Sequence, residues 1–136
     1  MKKIATALCA LMLAGCAATG DQFSEFNTPK KGNGDVYIYR PSQFLGGGVA
    51  FTINLNDQPL GVLRNGGYLH KELPTGVSFL SASSEVTRTQ KVNINENEPS
   101  CVRFSVGVGF IAGRPVFEPV DLDTCKFEIK KTKLSN

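Results

Sequence analysis

From residue 35 onward a turn signal interrupts the chain about every eight to twelve residues, and between the signals apolar side chains alternate with polar ones. Val49, Phe51, Ile53 and Leu55 take every second position, with Ala50, Thr52, Asn54 and Asn56 between them. A period of two places one set on a buried sheet face and the other towards solvent. The punctuation is chemical. Asn56-Asp57-Gln58-Pro59, Asn65-Gly66-Gly67 and Pro74-Thr75-Gly76 supply residues that fix φ or tolerate positive φ. Strands are expected over Val36–Arg40, Val49–Leu55, Leu60–Leu63, Tyr68–Leu73, Val77–Ser83, Val86–Ile94, Val102–Phe110, Val116–Leu122 and Cys125–Ile129, with no helix after the N-terminal segment. Many short strands at this spacing imply an all-β fold, an antiparallel sandwich of the immunoglobulin/transthyretin-like kind with about eight strands, preceded by a signal-peptide helix.

The N-terminus obeys another logic. Lys2 and Lys3 precede an apolar run from Ile4 to Leu13, and Leu13-Ala14-Gly15-Cys16 follows. About ten apolar residues suit a signal peptide and are too short to span a bilayer as a helix. The tetrapeptide resembles a bacterial lipobox, in which small residues admit the backbone to a peptidase and the cysteine thiol accepts diacylglycerol. That resemblance implies cleavage before Cys16 and attachment to a membrane through lipid on Cys16. Ala17 stands where an Asp would resemble an inner-membrane retention signal, so the outer membrane is the expected location. The expected organisation is a signal peptide over 1–15, a lipid-bearing Cys16 with a flexible tether to residue 34, a sandwich over 35–131 and a solvated tail over 132–136. Phe23 and Phe26 fit an inert tether poorly and are expected to dock on the domain.

Charge gives no further partner. The 136-residue chain has a formal net charge of +3, and removal of Lys2 and Lys3 leaves 13 basic against 12 acidic residues. A near-neutral domain carries no electrostatic argument for nucleic acid. Cys9 falls in the signal segment and Cys16 is the anchor, so Cys101 and Cys125 remain. In an oxidising compartment such a pair is expected to bond. Cys101 is out of phase with Val102, Phe104 and Val106, whereas Cys125 is in phase with Phe127 and Ile129, so two separate thiols stay open as the alternative.

Catalytic and cofactor signals are sparse. His70 is the sole histidine and reads as a surface imidazole. Two Cys and one His do not compose a tetrahedral zinc set. Gly46-Gly47-Gly48 lacks the Lys and Ser/Thr of a phosphate loop. Asp121/Asp123 and Glu96/Glu98 read as solvated charge, and Lys126, Lys130, Lys131 and Lys133 as a solvated basic end. No enzyme, metal or cofactor is expected.

The run Val36-Tyr37-Ile38-Tyr39-Arg40-Pro41-Ser42, followed by Phe44-Leu45-Gly46, then Leu60-Gly61-x-Leu63-x-Asn65-Gly66-Gly67-Tyr68 and Leu73-Pro74-x-Gly76, resembles bacterial lipoproteins carrying the domain of unknown function 2846. The pattern extends to Val106-Gly107 and Gly113-Arg114-Pro115. It implies a β-rich envelope domain and brings no established activity or catalytic residue. Tyr39 and Arg40 beside the glycine loop are candidates for a recognition edge with Tyr68, although structural roles, such as a corner tyrosine whose hydroxyl ties down a loop, are favoured for these positions. The expectation is a membrane-anchored, non-enzymatic binding or structural module with an envelope protein or glycan partner. The rival readings are a cell-wall hydrolase, which needs Glu118, Asp121 or His70 gathered in one cleft, and a purely structural or stress-related surface lipoprotein.

Overall fold

A computed structural model describes residues 17–136; the signal segment and Cys16 lie outside the described residues. In chain order the elements are β1 (Asn33–Tyr39), β2 (Phe51–Leu55), β3 (Gln58–Leu63), β4 (Gly67–Pro74), β5 (Gly76–Ser83), β6 (Thr87–Ile94), β7 (Ser100–Gly107), β8 (Arg114–Val120), α1 (Leu122–Ile129) and β9 (Lys133–Leu134). They form a β-sandwich of a four-stranded sheet, ordered β3-β2-β5-β6, and a five-stranded sheet, ordered β8-β7-β1-β4-β9. Most pairs are antiparallel; β1 with β7 and β4 with β9 run parallel.

The alternation read in β2 is realised. Phe51, Ile53 and Leu55 face Val36, Ile38, Val102 and Phe104 across the sandwich. Each such side chain taken fully from water contributes about 1.5–3 kcal/mol. Asn56 and Asp57 take φ of 49° and 64°, the backbone of a tight hairpin turn whose twist matches the strands it joins. Pro59 sits on β3, an edge strand, where its missing N–H costs no ladder bond.

The five-stranded sheet is covered on both faces, giving a third layer that the alternation did not reveal. Val36 and Ile38 point into the sandwich, while Tyr37 and Tyr39 point outward and are also buried, in a second cluster with Phe23, Cys101, Cys125 and Ile129. Two segments supply this cover: one departs from expectation, and the other docks through Phe23 and Phe26 as expected but is held along more of its length than a tether. Cys125–Ile129 is helical, not a strand. Asp121 caps α1, its carboxylate accepting from the Thr124 N–H at 2.8 Å. The helix buries Cys125 and Ile129, four residues apart on one face.

The other covering segment is the stretch expected to be a flexible tether. It is docked. The Ala18 N–H donates to the Asn65 carbonyl at 3.1 Å, Gly20 N–H to Leu134 O at 3.1 Å and Phe23 N–H to Thr132 O at 2.9 Å. Polar composition concealed this because the attachment is made largely by backbone. Phe23 is buried and meets Phe26, Tyr37 and Tyr68 edge-on. The C-terminal tail is likewise fixed. Ser135 is buried, its hydroxyl donating to Val62 O at 2.6 Å and accepting from Arg64 N–H at 2.9 Å.

One strand is shorter than its pattern. β7 ends at Gly107, and Val108, Phe110 and Ile111 stand almost fully exposed in the β7–β8 loop. Glu85 draws that loop into a turn by accepting from Phe110 N–H at 2.7 Å and Ile111 N–H at 3.1 Å.

Candidate functional sites

Cys101 and Cys125 form a disulfide. The phase conflict between them dissolves because Cys101 faces outward from β7 and Cys125 is presented by a helix lying on that outer face. The bond therefore ties α1 to the sheet from outside the main core. Beside it, Arg103 on β7 donates to Glu118 of β8 at 2.8 Å and to Glu128 of α1 at 2.5 Å. Bonds first to Glu118 and then to Glu128 hold the guanidinium pKa above its ordinary value.

Arg40, a candidate for the recognition edge, is turned inward. Its side chain is wholly buried, with Tyr39 beside it equally enclosed. The guanidinium donates to Val49 O at 2.6 Å, Gly46 O at 2.8 Å and Leu63 O at 3.3 Å, and lies 5.9 Å from the centre of the Phe104 ring. Burial pushes its pKa down. A planar fork with five N–H donors can close a loop this way. The loop turns the Gly46 and Val49 carbonyls inward, and Arg40 collects both. Tyr68 contributes its ring, packed 5.4 Å from Phe23, to the outer cluster.

His70, expected at the surface, is engaged on three sides. Its Nε2 lies 2.5 Å from Oδ1 of the buried Asp35, its Nδ1 is 3.4 Å from Asn27 Nδ2, and its ring stacks on Tyr37 at 4.5 Å. The Tyr37 hydroxyl accepts from the Asn27 N–H at 2.8 Å, and burial pushes its pKa up to about 12. The register explains the meeting, since Tyr37 pairs with His70 across β1 and β4. A carboxylate–imidazole pair orients one ring nitrogen and leaves the other for a donor or acceptor. Here that second nitrogen meets an amide, and no Ser or Cys nucleophile bonds to it among the described residues. The pair pins the docked segment to the sheet.

The carboxylates proposed for a hydrolytic centre are not brought together. Glu118 pairs with Arg103, Asp121 caps α1 and His70 holds Asp35. Glu96 accepts from Gly32 N–H at 2.9 Å. Among the described residues no three His, Cys, Asp or Glu side chains are grouped as metal ligands, and no helix is long and apolar enough to cross a membrane. The Asp35–His70 signal was open to a sequence reading only through the β1–β4 register, which no local pattern supplies.

Fold and site define a class: a small β-sandwich with a disulfide-tied outer layer, whose charged and aromatic groups are turned inward to fasten loops and termini. The chain belongs to the family described as protein of unknown function (DUF2846), whose model matches residues 30–109. That stretch runs from the approach to β1 into the β7–β8 loop, and includes Asp35, Arg40, His70 and Cys101 but not Cys125. The chain is also similar to an uncharacterized protein of Haemophilus influenzae, 24% identical over 134 residues that cover 93% of this chain and 79% of the relative. No solved structure matches.

Proposed function

We propose that the protein is an exported lipoprotein, cut before Cys16 and held in the cell envelope by lipid on that cysteine, and that its sandwich serves as a non-enzymatic binding or structural module. The outer membrane is its location, and an envelope protein or glycan its partner. The observation that carries the reading is the N-terminal sequence, from Lys2 and Lys3 to Leu13-Ala14-Gly15-Cys16. Ala17 bridges Asn65 and Ala18 is buried, so the residues directly after Cys16 are held against the sandwich. Lys2, Lys3, the apolar run and Leu13-Ala14-Gly15-Cys16 supply the export logic. The Cys101–Cys125 bond suits an oxidising compartment. Two or three acyl chains, at about 0.8 kcal/mol per buried CH₂, make such an anchor effectively permanent.

Intact-mass measurement of the protein purified from membranes tests this. The expected mass is that of a chain starting at acylated Cys16, and Cys16→Ser abolishes it. A full-length, unacylated mass from cells able to process lipoproteins overturns the reading.

A further inference from the structure

The sandwich has two unlike ends. At one end lie the β1–β2 loop, the Arg64–Gly67 turn, the β5–β6 turn and the β7–β8 loop, and Ala17 enters the fold there by bridging Asn65. Consecutive Cα atoms are about 3.8 Å apart, so Cys16 stands one peptide unit from this end. The same end carries the most exposed apolar side chains of the described residues: Phe44 at 99%, Val108 at 95%, Phe110 at 94%, Ile111 at 92% and Leu45 at 77%.

The two apolar loops and the entry point are physically linked. The Asn65 side chain accepts from Gln43 N–H at 2.8 Å and donates to Gln43 O at 3.0 Å, directly before Phe44. The Gln43 side chain in turn accepts from Val106 N–H at 3.2 Å, where β7 runs out into the second loop. Arg40 holds the first loop from beneath through Gly46 and Val49, and Glu85 holds the second through Phe110 and Ile111. The tips are apolar side chains on braced backbones, not slack chain.

We propose that this end is a membrane-facing surface, with Phe44, Leu45, Val108, Phe110 and Ile111 entering the interfacial layer of a lipid bilayer beside Cys16. Exposed apolar residues clustered on one end signal a binding surface, and the position of Cys16 selects a bilayer as its occupant. Charge agrees. The charged residues of 40–50, 64–67, 84–86 and 107–114 are Arg40, Arg64, Glu85 and Arg114; Arg40 is buried and Glu85 pairs with Arg114 at 2.9 Å, which leaves Arg64 at the surface. An unpaired carboxylate there would resist approach to anionic headgroups; none is present in these segments. The arrangement deepens the anchoring reading, and it rests on that reading for the position of the lipid.

The chain contains no Trp, so single substitutions report without background. Phe44→Trp, Phe110→Trp and, at the opposite end on β5, Val77→Trp are made in the full-length gene. Each purified protein is reconstituted into vesicles of phosphatidylethanolamine and phosphatidylglycerol with acyl-chain-brominated lipid. The expected result is blue-shifted emission at positions 44 and 110, quenched several-fold more strongly by bromine than emission at 77. Equal, solvent-like emission at all three positions overturns the proposal. So does a blue shift without bromine quenching that grows with protein concentration, which assigns the end to a second copy. Intact mass of the same samples reports separately on Cys16: an unacylated chain whose loops are still quenched defeats the anchor and sustains the surface.

Discussion

Replacing Cys101 and Cys125 together by Ala is expected to cost about 3.5 kcal/mol of folding stability. The bond joins residues 24 apart, and the chain-entropy relation for a closed loop of that size returns this value at 25 °C. Alanine is the right replacement because both cysteines are buried and serine would add an unpaired hydroxyl. Equilibrium urea unfolding, followed by far-UV circular dichroism, reads the loss as a midpoint lowered by about 2 M, or as a melting temperature lower by on the order of 10–15 °C. The location of the bond adds a sharper expectation. Cys101 and Cys125 belong to the outer cluster with Tyr37, Tyr39 and Ile129, apart from the core between the sheets. Amide exchange should therefore accelerate in α1 far more than in β5 and β6. A loss below about 1 kcal/mol, or equal acceleration in α1 and β5, refutes the account in which the bond works by tying the outer layer down.

Arg40→Met removes two short bonds to carbonyls, each worth about 1.5–3 kcal/mol from a charged donor, while relieving a desolvated charge; a net loss of about 1–3 kcal/mol in chemical denaturation is expected. Arg40→Lys keeps the charge, gives up the fork, and is expected to destabilise at least as much; a Lys variant as stable as the native protein contradicts the cradle. His70→Phe retains the stack on Tyr37 and strips Asp35 of its partner, costing about 1–3 kcal/mol, and Asp35→Asn in the same chain should recover part of it in a double-mutant cycle. Burial pushes Tyr37 up to about 12, and Tyr39 and Tyr68 are also raised by burial, above the value of about 10 expected for the unfolded chain. A raised tyrosine stabilises the fold fully below pH ~10 and loses that contribution as pH climbs through the folded value. Phenolate absorbance should thus rise late and together with unfolding, and early ionisation of all three tyrosines in a still-folded protein counts against their burial.

Much of the sandwich was legible because strands of the four-stranded sheet keep one face towards water. Val49 to Leu55 declared itself by alternation, and Asn56-Asp57 by its demand for positive φ. The same rule explains the failures. Tyr37 and Tyr39 occupy the positions that alternation reserves for solvent, and their apolar character was the mark of a sheet covered twice. Cys125, Phe127 and Ile129 alternate like a strand, yet the helix uses Cys125 and Ile129 and leaves Phe127 exposed; Asp121 with Thr124 was the cap that pattern counting passed over. Val108 and Phe110 continue the phase of Val102, Phe104 and Val106, but Gly107 and Glu85 end the strand first. Arg40 beside Pro41 looks like a surface charge, because its burial depends on a loop of glycines folding back over it. His70 was misplaced for a related reason, since Asp35 and Asn27 reach it through β-sheet register and a docked segment, both non-local.

The departures on the outer face of the five-stranded sheet share a cause. The first described residues run antiparallel beside Lys133 and Leu134 through alternating backbone bonds, Gly20 to Leu134, Leu134 to Asp21 and Phe23 to Thr132. Thr132 follows α1, and α1 is joined through Cys125 to Cys101 on β7. A pull at Ala17 would pass through these backbone bonds to β9, into the helix and, by a covalent bond, to β7, an interior strand of the five-stranded sheet. An outer layer of backbone ladder, helix and disulfide costs the chain its apparent tether and its apparent free tail. Its disulfide ends on a strand flanked by neighbours on both sides, β1 and β8. Such a layer leaves little local trace in sequence because its parts are joined by backbone and by one pair of cysteines. Among the described residues, that pair is the only disulfide.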